Sequence, residues 1–204
     1  MTTEKKTKKI YVPVDPEKLP KIVFGELFGN ERPVEVEIGC GKGKFLLARS
    51  AENPEINFLG IDYAGKWMKI GEERGRKRRI PNLRFLKGEA RQILTRFLPG
   101  SVEAFHIYFP DPWPKKRHHK RRLLGPAFLR RLDELLKPGG LIEIATDNEA
   151  YYAEIKKAVP ESEVRWQNVR ESVNERLAFG AVPTSYEAKY AAEKRPLYYL
   201  ELKK

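Results

Sequence analysis

The sequence contains very little cysteine, glutamine or methionine. Its 204 residues include one cysteine, Cys40, which excludes an intramolecular disulfide framework and favours a reducing, cytoplasmic location. Two methionines and two glutamines beside many Lys, Arg and Glu residues are typical of a thermophilic source. No apolar run approaches the roughly 20 residues that span a bilayer, and the opening MTTEKKTKKI lacks the apolar stretch of a secretory signal. We therefore expect no membrane association.

Metal-binding patterns are also missing. The histidines are His106, in a predicted strand, and the adjacent His118 and His119, which lie among cations. No cysteine stands at metal-ligand spacing from them, and the neighbouring cations disfavour a metal ion. Cys40 has no base nearby that would make it a nucleophile. We expect no metal cofactor, and the sequence leaves monomer and homodimer open.

Positive charge, by contrast, is abundant and clustered. The chain has 40 Lys and Arg against 28 Asp and Glu, which gives a formal net charge of +12. Six of the cations lie in residues 115–122, the segment Lys-Lys-Arg-His-His-Lys-Arg-Arg, which contains no acid and which we call the basic octet. Because a run of this density repels itself, it indicates an anion-binding loop.

Strand patterns alternate with helix patterns from residue 34 onward. Seven strands are predicted, at residues 34–38, 58–61, 83–86, 102–109, 141–145, 164–169 and 197–202. Strands that alternate with helices form a largely parallel sheet with helices on both faces. The predicted fold class is therefore α/β, with one Rossmann-like, doubly wound domain over residues 31–204. Residues 1–30, rich in lysine and interrupted by proline, are predicted to be a basic N-terminal arm.

A glycine-rich turn follows the first predicted strand. Gly39, Gly41 and Gly43 stand between strand and helix, where the backbone must turn sharply and approach a ligand closely. In doubly wound sheets this turn lies at the carboxyl edge, where nucleotides bind. Lys44 stands where the dinucleotide fingerprint has its last glycine, which counts against NAD or FAD. No G-K-[ST] sequence occurs, which excludes a P-loop.

Acidic residues mark the ends of four successive predicted strands. Glu37 ends the first, and Asp62, 25 residues later, can accept hydrogen bonds from both hydroxyls of a ribose. Glu89 could bind an adenine amino group, and Asp111 follows the fourth strand. An acid-lined pocket suits a cationic sulfonium better than a pyrophosphate. The four acids together predict an S-adenosylmethionine site, whereas any one of them alone could be a helix cap.

The segment Phe-Pro-Asp-Pro-Trp-Pro at 109–114 has three prolines in five residues, which fix a loop and hold Asp111 at the sheet edge. Followed by the basic octet, it closely resembles the bacterial tRNA (guanine-N7-)-methyltransferases, a family of class I S-adenosylmethionine-dependent methyltransferases. The resemblance runs from Glu37 to the end of the chain. It includes E-x-G-x-G-K-G at 37–43, G-I-D at 60–62, T-D-N at 146–148 and T-S-Y-E at 184–187. Asp62 stands where a Glu is usual, and Glu89 where Asp or Asn is usual; both keep an acceptor.

This resemblance implies a seven-stranded methyltransferase fold and methyl transfer to N7 of guanine 46 in the tRNA variable loop. It implies S-adenosylmethionine contacts at the glycine turn and at Glu37, Asp62, Glu89 and Asp111. Contacts to the substrate guanine are implied at Lys115, Asp147, Thr184, Ser185, Tyr186 and Glu187. Contacts to the RNA backbone are implied at Arg117, His118, His119, Lys120, Arg121 and Arg122. We hypothesise that Asp111 sits between cofactor and base and matters most for rate.

Some alternatives stay open at this point. Thr-x-x-Glu at 184–187 is also a capping box that starts a helix, and the two roles are compatible only if capping does not use both side chains. An amino-group methyltransferase acting on adenine or protein often has D/N-P-P-aromatic after the fourth strand, an order that differs from Asp-Pro-Trp-Pro here. A non-catalytic RNA-binding module with this fold is disfavoured by the intact glycines and acids.

Overall fold

The alternation of strands and helices produces a single sheet of eight strands. The structure is a computed structural model, and it describes residues 11–13, 20–176 and 183–204. The strands are β1 (Tyr11–Pro13), β2 (Val34–Ile38), β3 (Asn57–Asp62), β4 (Leu83–Lys87), β5 (Val102–Tyr108), β6 (Leu136–Thr146), β7 (Asn168–Val173) and β8 (Tyr198–Lys203). The helices are α1 (Phe24–Phe28), α2 (Lys44–Glu52), α3 (Gly65–Lys77), α4 (Ala90–Leu94), α5 (Pro126–Leu135), α6 (Glu149–Glu161), α7 (Ser185–Ala192) and one 3₁₀ helix (Lys116–Arg121).

The order of the strands places the site at the middle of the sheet. It runs β1-β4-β3-β2-β5-β6-β8-β7. The pairs from β1 to β6 are parallel, and β8 is antiparallel to both β6 and β7. Strands β2 to β8 confirm the predicted seven-stranded, mostly parallel sheet, and β1 adds an eighth strand beside β4. Because the strand order reverses at β2, a crevice opens at the carboxyl ends of β2, β3 and β5.

Strand β2 divides its side chains between the two faces of the sheet. Val34, Val36 and Ile38 pack into the core beneath helices α1, α5 and α6. Glu35 and Glu37 alternate with them and face helix α2, as expected for a period of two. Burial of two carboxylates costs free energy unless each finds a partner. The face of the sheet under α2 therefore has to supply those partners or a ligand.

The segment predicted as a basic arm, residues 1–30, contributes partly to the core. Helix α1 buries Phe24 and Phe28, and the Phe24 ring packs edge-on against Phe97 with 4.9 Å between ring centroids. The backbone of β1 pairs with β4. The chain from residue 20 onward thus packs on the domain, and the lysines at positions 5, 6, 8 and 9 lie outside the described residues.

Element positions differ from the prediction where burial is weak. Strand β7, which is exposed along most of its length, covers Asn168–Val173 instead of residues 164–169. Trp67, in the first turn of α3, is not a core residue. Its side chain is 41% exposed, because Met68, one position later, is the residue of α3 that enters the core. No helix in the described ranges is long and apolar enough to cross a membrane.

Candidate active site

The glycine turn between β2 and α2 is shaped by left-handed backbone. Gly39, Gly41 and Gly43 have φ values of 84°, 51° and 64°, a region that side chains with a Cβ rarely adopt. Added Cβ atoms at Gly39 and Gly41 would meet nothing within 4 Å, whereas one at Gly43 would lie 2.9 Å from the ring of Phe85. Open space above the first two glycines leaves their backbone accessible to a ligand.

Glu37 lies under this turn and is the strongest electrostatic feature of the site. Its side chain is buried, and Oε2 has no hydrogen-bond partner. Burial raises the pKa of Glu37 to about 8, although the charge of His106 opposes the shift. It borders a cavity of about 330 Å³, the Glu37 cavity, which is also lined by Gly41, Phe45, Tyr108 and Tyr186. A buried carboxyl oxygen without a partner, beside an open cavity, suits a cationic ligand.

Asp62 ties the end of β3 to the glycine turn. Its Oδ2 accepts a hydrogen bond of 2.7 Å from the amide of Gly41, and its Oδ1 accepts one of 2.7 Å from the amide of Ala64. A carboxylate has about four lone-pair sites, so both oxygens retain capacity for a ribose hydroxyl. Asp62 therefore fixes the loop that a cofactor would contact while remaining able to accept from it.

Asp111 and Glu89 meet Asp62 in a second cavity, the Asp111 cavity, of about 320 Å³. Glu89 is the N-cap of α4, with Oε2 accepting from the amide of Gln92 at 3.0 Å. The capping role that sequence analysis left open for single acids is thus confirmed for Glu89. Asp111 is exposed. Since Gly39 lines both cavities, the four predicted acids surround one continuous turn.

The proline loop that carries Asp111 has an unusual backbone. Phe109 and Trp113 have φ values of 53° and 43°, which cost free energy for residues other than glycine. Arg122 donates a 2.7 Å hydrogen bond from Nε to the carbonyl of Pro112. The guanidinium of Arg121 lies 4.9 Å from the Trp113 ring centroid. The loop is thus held in a strained form by residues of the basic octet.

The octet itself is not uniform. Lys115, Lys116, Arg117, Lys120 and Arg121 are exposed. The side chain of Arg122 is only 6% exposed, and it pairs with Glu154 of α6. Its guanidinium is thus engaged by Glu154 and Pro112, which disfavours the predicted contact of Arg122 with RNA. His118 and His119 are half-buried, and Nδ1 of His119 lies 3.4 Å from Glu154.

The segment 184–187 forms the predicted capping box. The hydroxyl of Thr184 accepts from the amide of Glu187 at 3.0 Å, and Glu187 Oε2 accepts from the amide of Thr184 at 3.1 Å. Glu187 is buried and also accepts from the Tyr199 hydroxyl at 2.8 Å and from Arg176 at 3.1 Å. Thr184 and Glu187 are thus occupied by the cap. Ser185 and Tyr186, which line the Glu37 cavity, remain available to a ligand.

Two arginines that no sequence motif indicated are the basic partners of this region. Arg195 pairs with Asp147 at 3.0 Å and stacks on Tyr190 at 4.6 Å. The guanidinium of Arg176 lies 4.9 Å from the ring centroid of Tyr108. Arg195 is 48 residues from Asp147 and Arg176 is 68 residues from Tyr108, so no local pattern could have indicated these two contacts.

A buried polar network under the Glu37 cavity was also missed. His106 Nε2 lies 3.0 Å from Glu35, and its Nδ1 lies 2.9 Å from Glu143. The hydroxyl of Tyr108 donates to Glu143 at 2.6 Å, and Arg49 lies 3.3 Å from Glu35. Burial opposes a charge on His106, but hydrogen bonds to the two glutamates outweigh it and raise the pKa of His106 to about 9. No group of side chains suited to a metal ion occurs in the part of the chain that the structure describes.

Comparisons with known proteins agree with this geometry. A family model described as "Putative methyltransferase" matches residues 31–200. The tRNA (guanine-N(7)-)-methyltransferase of Listeria innocua is 35% identical over 178 residues, which cover 87% of this chain and 83% of that protein. The tRNA (guanine-N(7)-)-methyltransferase of a Geobacillus species is 35% identical over 180 residues, covering 88% and 82%.

The fold is also found in solved structures. One described as an antibiotic-related methyltransferase is 20% identical, with a TM-score of 0.63, and the match covers 97% of this chain and 98% of that one. Similarity at this identity shows the shared fold alone, whereas the sequence matches show the family. The chain therefore belongs to the family of tRNA (guanine-N7-)-methyltransferases, which are S-adenosylmethionine-dependent enzymes.

Proposed function

We propose that this chain methylates N7 of guanine 46 in the variable loop of tRNA and releases S-adenosylhomocysteine. The observation that carries the proposal is the position of Asp111. It lies in an acid-lined cavity with Asp62 and Glu89, and it is followed within four residues by the exposed cations of the basic octet. A cationic methyl donor and a polyanionic substrate would thus meet at this one loop.

The residues present fit S-adenosylmethionine. Glu37 offers a buried oxygen without a partner, and the backbone at Gly39 and Gly41 is open to a ligand. Asp62 and Glu89 supply acceptors in the adjoining cavity. The cofactor, when bound, supplies an electrophilic methyl group on a cationic sulfur. We assign its binding to Glu37, Gly39, Gly41, Gly43, Asp62, Glu89 and Asp111.

The chemistry requires positioning more than proton transfer. Guanine N7 carries a free lone pair and no proton, so its attack on a methyl group needs no general base. The protein has to align the reacting atoms, at about 3–3.5 Å, and exclude water. Methylation places positive charge on the purine, and the carboxylate of Asp111 would stabilise it. Asp111 is therefore the proposed catalytic residue.

Substrate contacts are proposed for exposed residues and for the half-buried Asp147, which also pairs with Arg195. Lys115, Asp147, Ser185 and Tyr186 would bind the guanine nucleotide, with Thr184 and Glu187 holding the segment in place through the cap. The RNA backbone would contact Arg117, His118, His119, Lys120 and Arg121. Arg122 is not among the residues proposed to contact the RNA backbone, because its guanidinium contacts Glu154 and Pro112.

The test is incubation of the purified chain with unmodified tRNA and methyl-labelled cofactor, followed by digestion and nucleoside identification by mass. We expect 7-methylguanosine, and no product on a matched tRNA in which guanine 46 is replaced by adenine. N6-methyladenosine would instead support an amino-group methyltransferase. No detectable S-adenosylmethionine binding by calorimetry would support a non-catalytic RNA-binding module.

Because tRNA is the substrate, the proposed location is the cytoplasm. A thermophilic source and a monomeric or homodimeric state stay predictions from the sequence. Sedimentation in the presence and absence of tRNA measures the latter directly.

A further inference from the structure

Exposed aromatic side chains collect at the mouth of the cofactor crevice. Within the described residues, the large exposed aromatics are Tyr63, Trp67 and Tyr186, which are 78%, 41% and 56% accessible. All three line the cavities at the carboxyl edge of the sheet. Large apolar groups exposed together mark a binding surface. Tyr63 adjoins Asp62 and Tyr186 lies in the T-S-Y-E segment, but the proposed function does not use Trp67.

Trp67 is flanked by two ammonium groups. Nζ of Lys42 lies 4.6 Å from its ring centroid, and Nζ of Lys66 lies 5.5 Å from it. Both lysines are exposed, one in the glycine turn and one in the first turn of α3. An aromatic face beside free-standing cations is the arrangement with which proteins bind single-stranded nucleic acid, through base stacking and phosphate contacts.

The remainder of α3 and the two residues that follow it carry further positive charge. Residues 65–79 contain seven Lys and Arg and two Glu, and all seven cations are exposed. The buried face of the helix consists of Met68, Gly71 and Gly75. Among the described residues, Lys77 is the one cation of α3 that has a carboxylate within 4.0 Å; it pairs with Glu73 at 2.8 Å. The outer face of α3 is thus a basic surface suited to a polyanion.

The position of this surface relative to the octet follows from the sheet. The basic octet comes after β5, and α3 comes after β3, so the two flank the glycine turn after β2 from opposite sides. Arg121 of the octet lines the Asp111 cavity together with Tyr63, and Lys42 and Trp67 line the Glu37 cavity. A polyanion lying across the crevice could contact both basic segments while one nucleotide enters between them.

We propose that the outer face of α3, with Trp67, Lys42, Lys66, Lys69 and Arg76, is a second tRNA-binding surface of this enzyme. Trp67 stacks on a base that flanks the methylated guanine, and the cations bind the adjoining phosphates. The proposal rests on the proposed function, because it takes tRNA to be the substrate. It adds a contact on the side of the crevice that the octet does not reach.

The test compares two triple variants with the same change in charge. Lys66, Lys69 and Arg76 are replaced by Ala in one; Lys157, Arg165 and Lys203, exposed at the opposite edge of the sheet, are replaced in the other. The affinity for unmodified tRNA is measured between 50 and 200 mM salt. Each lost phosphate contact lowers the slope of log Kd against log salt by about 0.7 to 0.9. We expect the α3 variant to lose about two in slope and the control to keep the wild-type slope.

Trp67 is tested separately. We expect Trp67→Ala to weaken tRNA binding about tenfold, as loss of one stacked base would, and Trp67→Phe to retain most of the affinity. Cofactor binding by calorimetry should stay at the wild-type value in both. Weaker cofactor binding with unchanged tRNA affinity would assign Trp67 to the cofactor pocket and overturn the stacking contact.

If the α3 variant keeps the wild-type slope of log Kd against log salt, the proposed tRNA-binding surface on α3 is refuted. Failure of the proposed function is recognised independently, because wild-type enzyme would then yield no 7-methylguanosine. If the wild type forms that product and the α3 variant binds tRNA normally, the second surface alone is refuted.

Discussion

At the scale of single residues, burial decides what each acid of the site can do. Glu37 is enclosed and has an oxygen without a partner, whereas Asp111 is exposed beside strained backbone. Burial moves the pKa of a carboxyl group toward the neutral range. The two residues should therefore affect binding and rate differently.

The raised pKa of Glu37 predicts pH-dependent cofactor binding. With a pKa of about 8 the free enzyme holds this carboxyl protonated at neutral pH, so a cationic ligand must displace a proton. We expect the S-adenosylmethionine Kd to fall as pH rises from 6 to 8, by at most about tenfold per pH unit. Glu37→Gln, measured by calorimetry at each pH, should bind more weakly and lose this dependence. Parallel pH profiles of wild type and variant would contradict the assignment.

Asp111→Asn keeps the shape of the side chain and removes its charge. Because positive charge develops on the purine, we expect turnover to fall about tenfold or more, a larger factor than the loss of cofactor affinity, with tRNA affinity unchanged. Single-turnover methylation measures the rate, and calorimetry the affinities. Turnover within twofold of wild type would exclude the proposed role, and recovery in Asp111→Glu would strengthen it.

At the scale of elements, helix α7 connects the capping box at its start to the Glu37 cavity. Its first turn places Ser185 and Tyr186 in the Glu37 cavity, and its cap uses Thr184 and Glu187. The helix buries little else, since Glu187 is its buried residue. The order of this segment thus depends on the cap and on the contacts of Glu187 with Arg176 and Tyr199.

We expect Thr184→Ala to lower the free energy of unfolding by about 1 kcal/mol, because the amide of Glu187 loses its acceptor. Thr184→Ser, which retains the hydroxyl, is the matched control. Urea denaturation measures both. If Thr184→Ala abolishes methylation without any loss of stability, then Thr184 binds substrate directly and the cap is secondary.

The elements were predictable from the sequence to the extent that they are buried. Strands β2 to β5 have alternating or continuous apolar residues, and the sequence analysis located all of them. Strand β7 is exposed along almost its whole length, so its apolar pattern carries little information, and its predicted position was four residues too early. Helix α1 was missed because its two phenylalanines lie beside a proline-rich segment.

The site was predictable in its backbone and less so in its side chains. The glycines and acids could be located because they stand at the ends of strands that are recognisable in the sequence. The commitment of Arg122 to Glu154, 32 residues away, follows from packing between distant elements. No pattern within the basic octet distinguishes Arg122 from its exposed neighbours.

At the scale of the whole molecule, opposite charges are separated. Exposed cations of the basic octet and of α3 lie around the crevice, and carboxylates line the two cavities within it. Exposed cations attract RNA over a distance of about a Debye length, whereas Glu37, which is enclosed, acts only on a ligand that has entered. Salt should therefore weaken tRNA binding strongly and cofactor binding little.

Two variants of the basic octet test this expectation. Replacement of Arg117, Lys120 and Arg121 by Ala should reduce the slope of log Kd against log salt for tRNA by about two. Arg122→Ala should instead lower the melting temperature and keep the slope, because Arg122 bonds to Glu154 and Pro112. An unchanged slope in the triple variant would mean that the octet does not contact RNA.

The network around His106 connects β2, β5 and β6 and predicts how stability depends on pH. A histidine whose pKa rises on folding to about 9 contributes stability that is complete below pH 6.5 and is lost as pH rises through 9. Glu37, also raised on folding, acts in the same direction between pH 4.5 and 8. We expect the melting temperature to fall between pH 7 and 9.5, and His106→Gln to be less stable and to lose the part of this fall that lies above pH 8. A flat wild-type profile would contradict a charged His106.

Strand β8 lies between β6 and β7 although it follows both in the chain. A nascent chain that has emerged from the ribosome only as far as β7 cannot place that strand, since β7 pairs with β8 alone among its described neighbours. The open edge of β6 is exposed to other chains for the same interval. Completion of this half of the sheet, and of the α7 segment that precedes β8, thus waits for the last strand to be synthesised. The wall that Ser185 and Tyr186 add to the Glu37 cavity is therefore completed only after translation has passed that point.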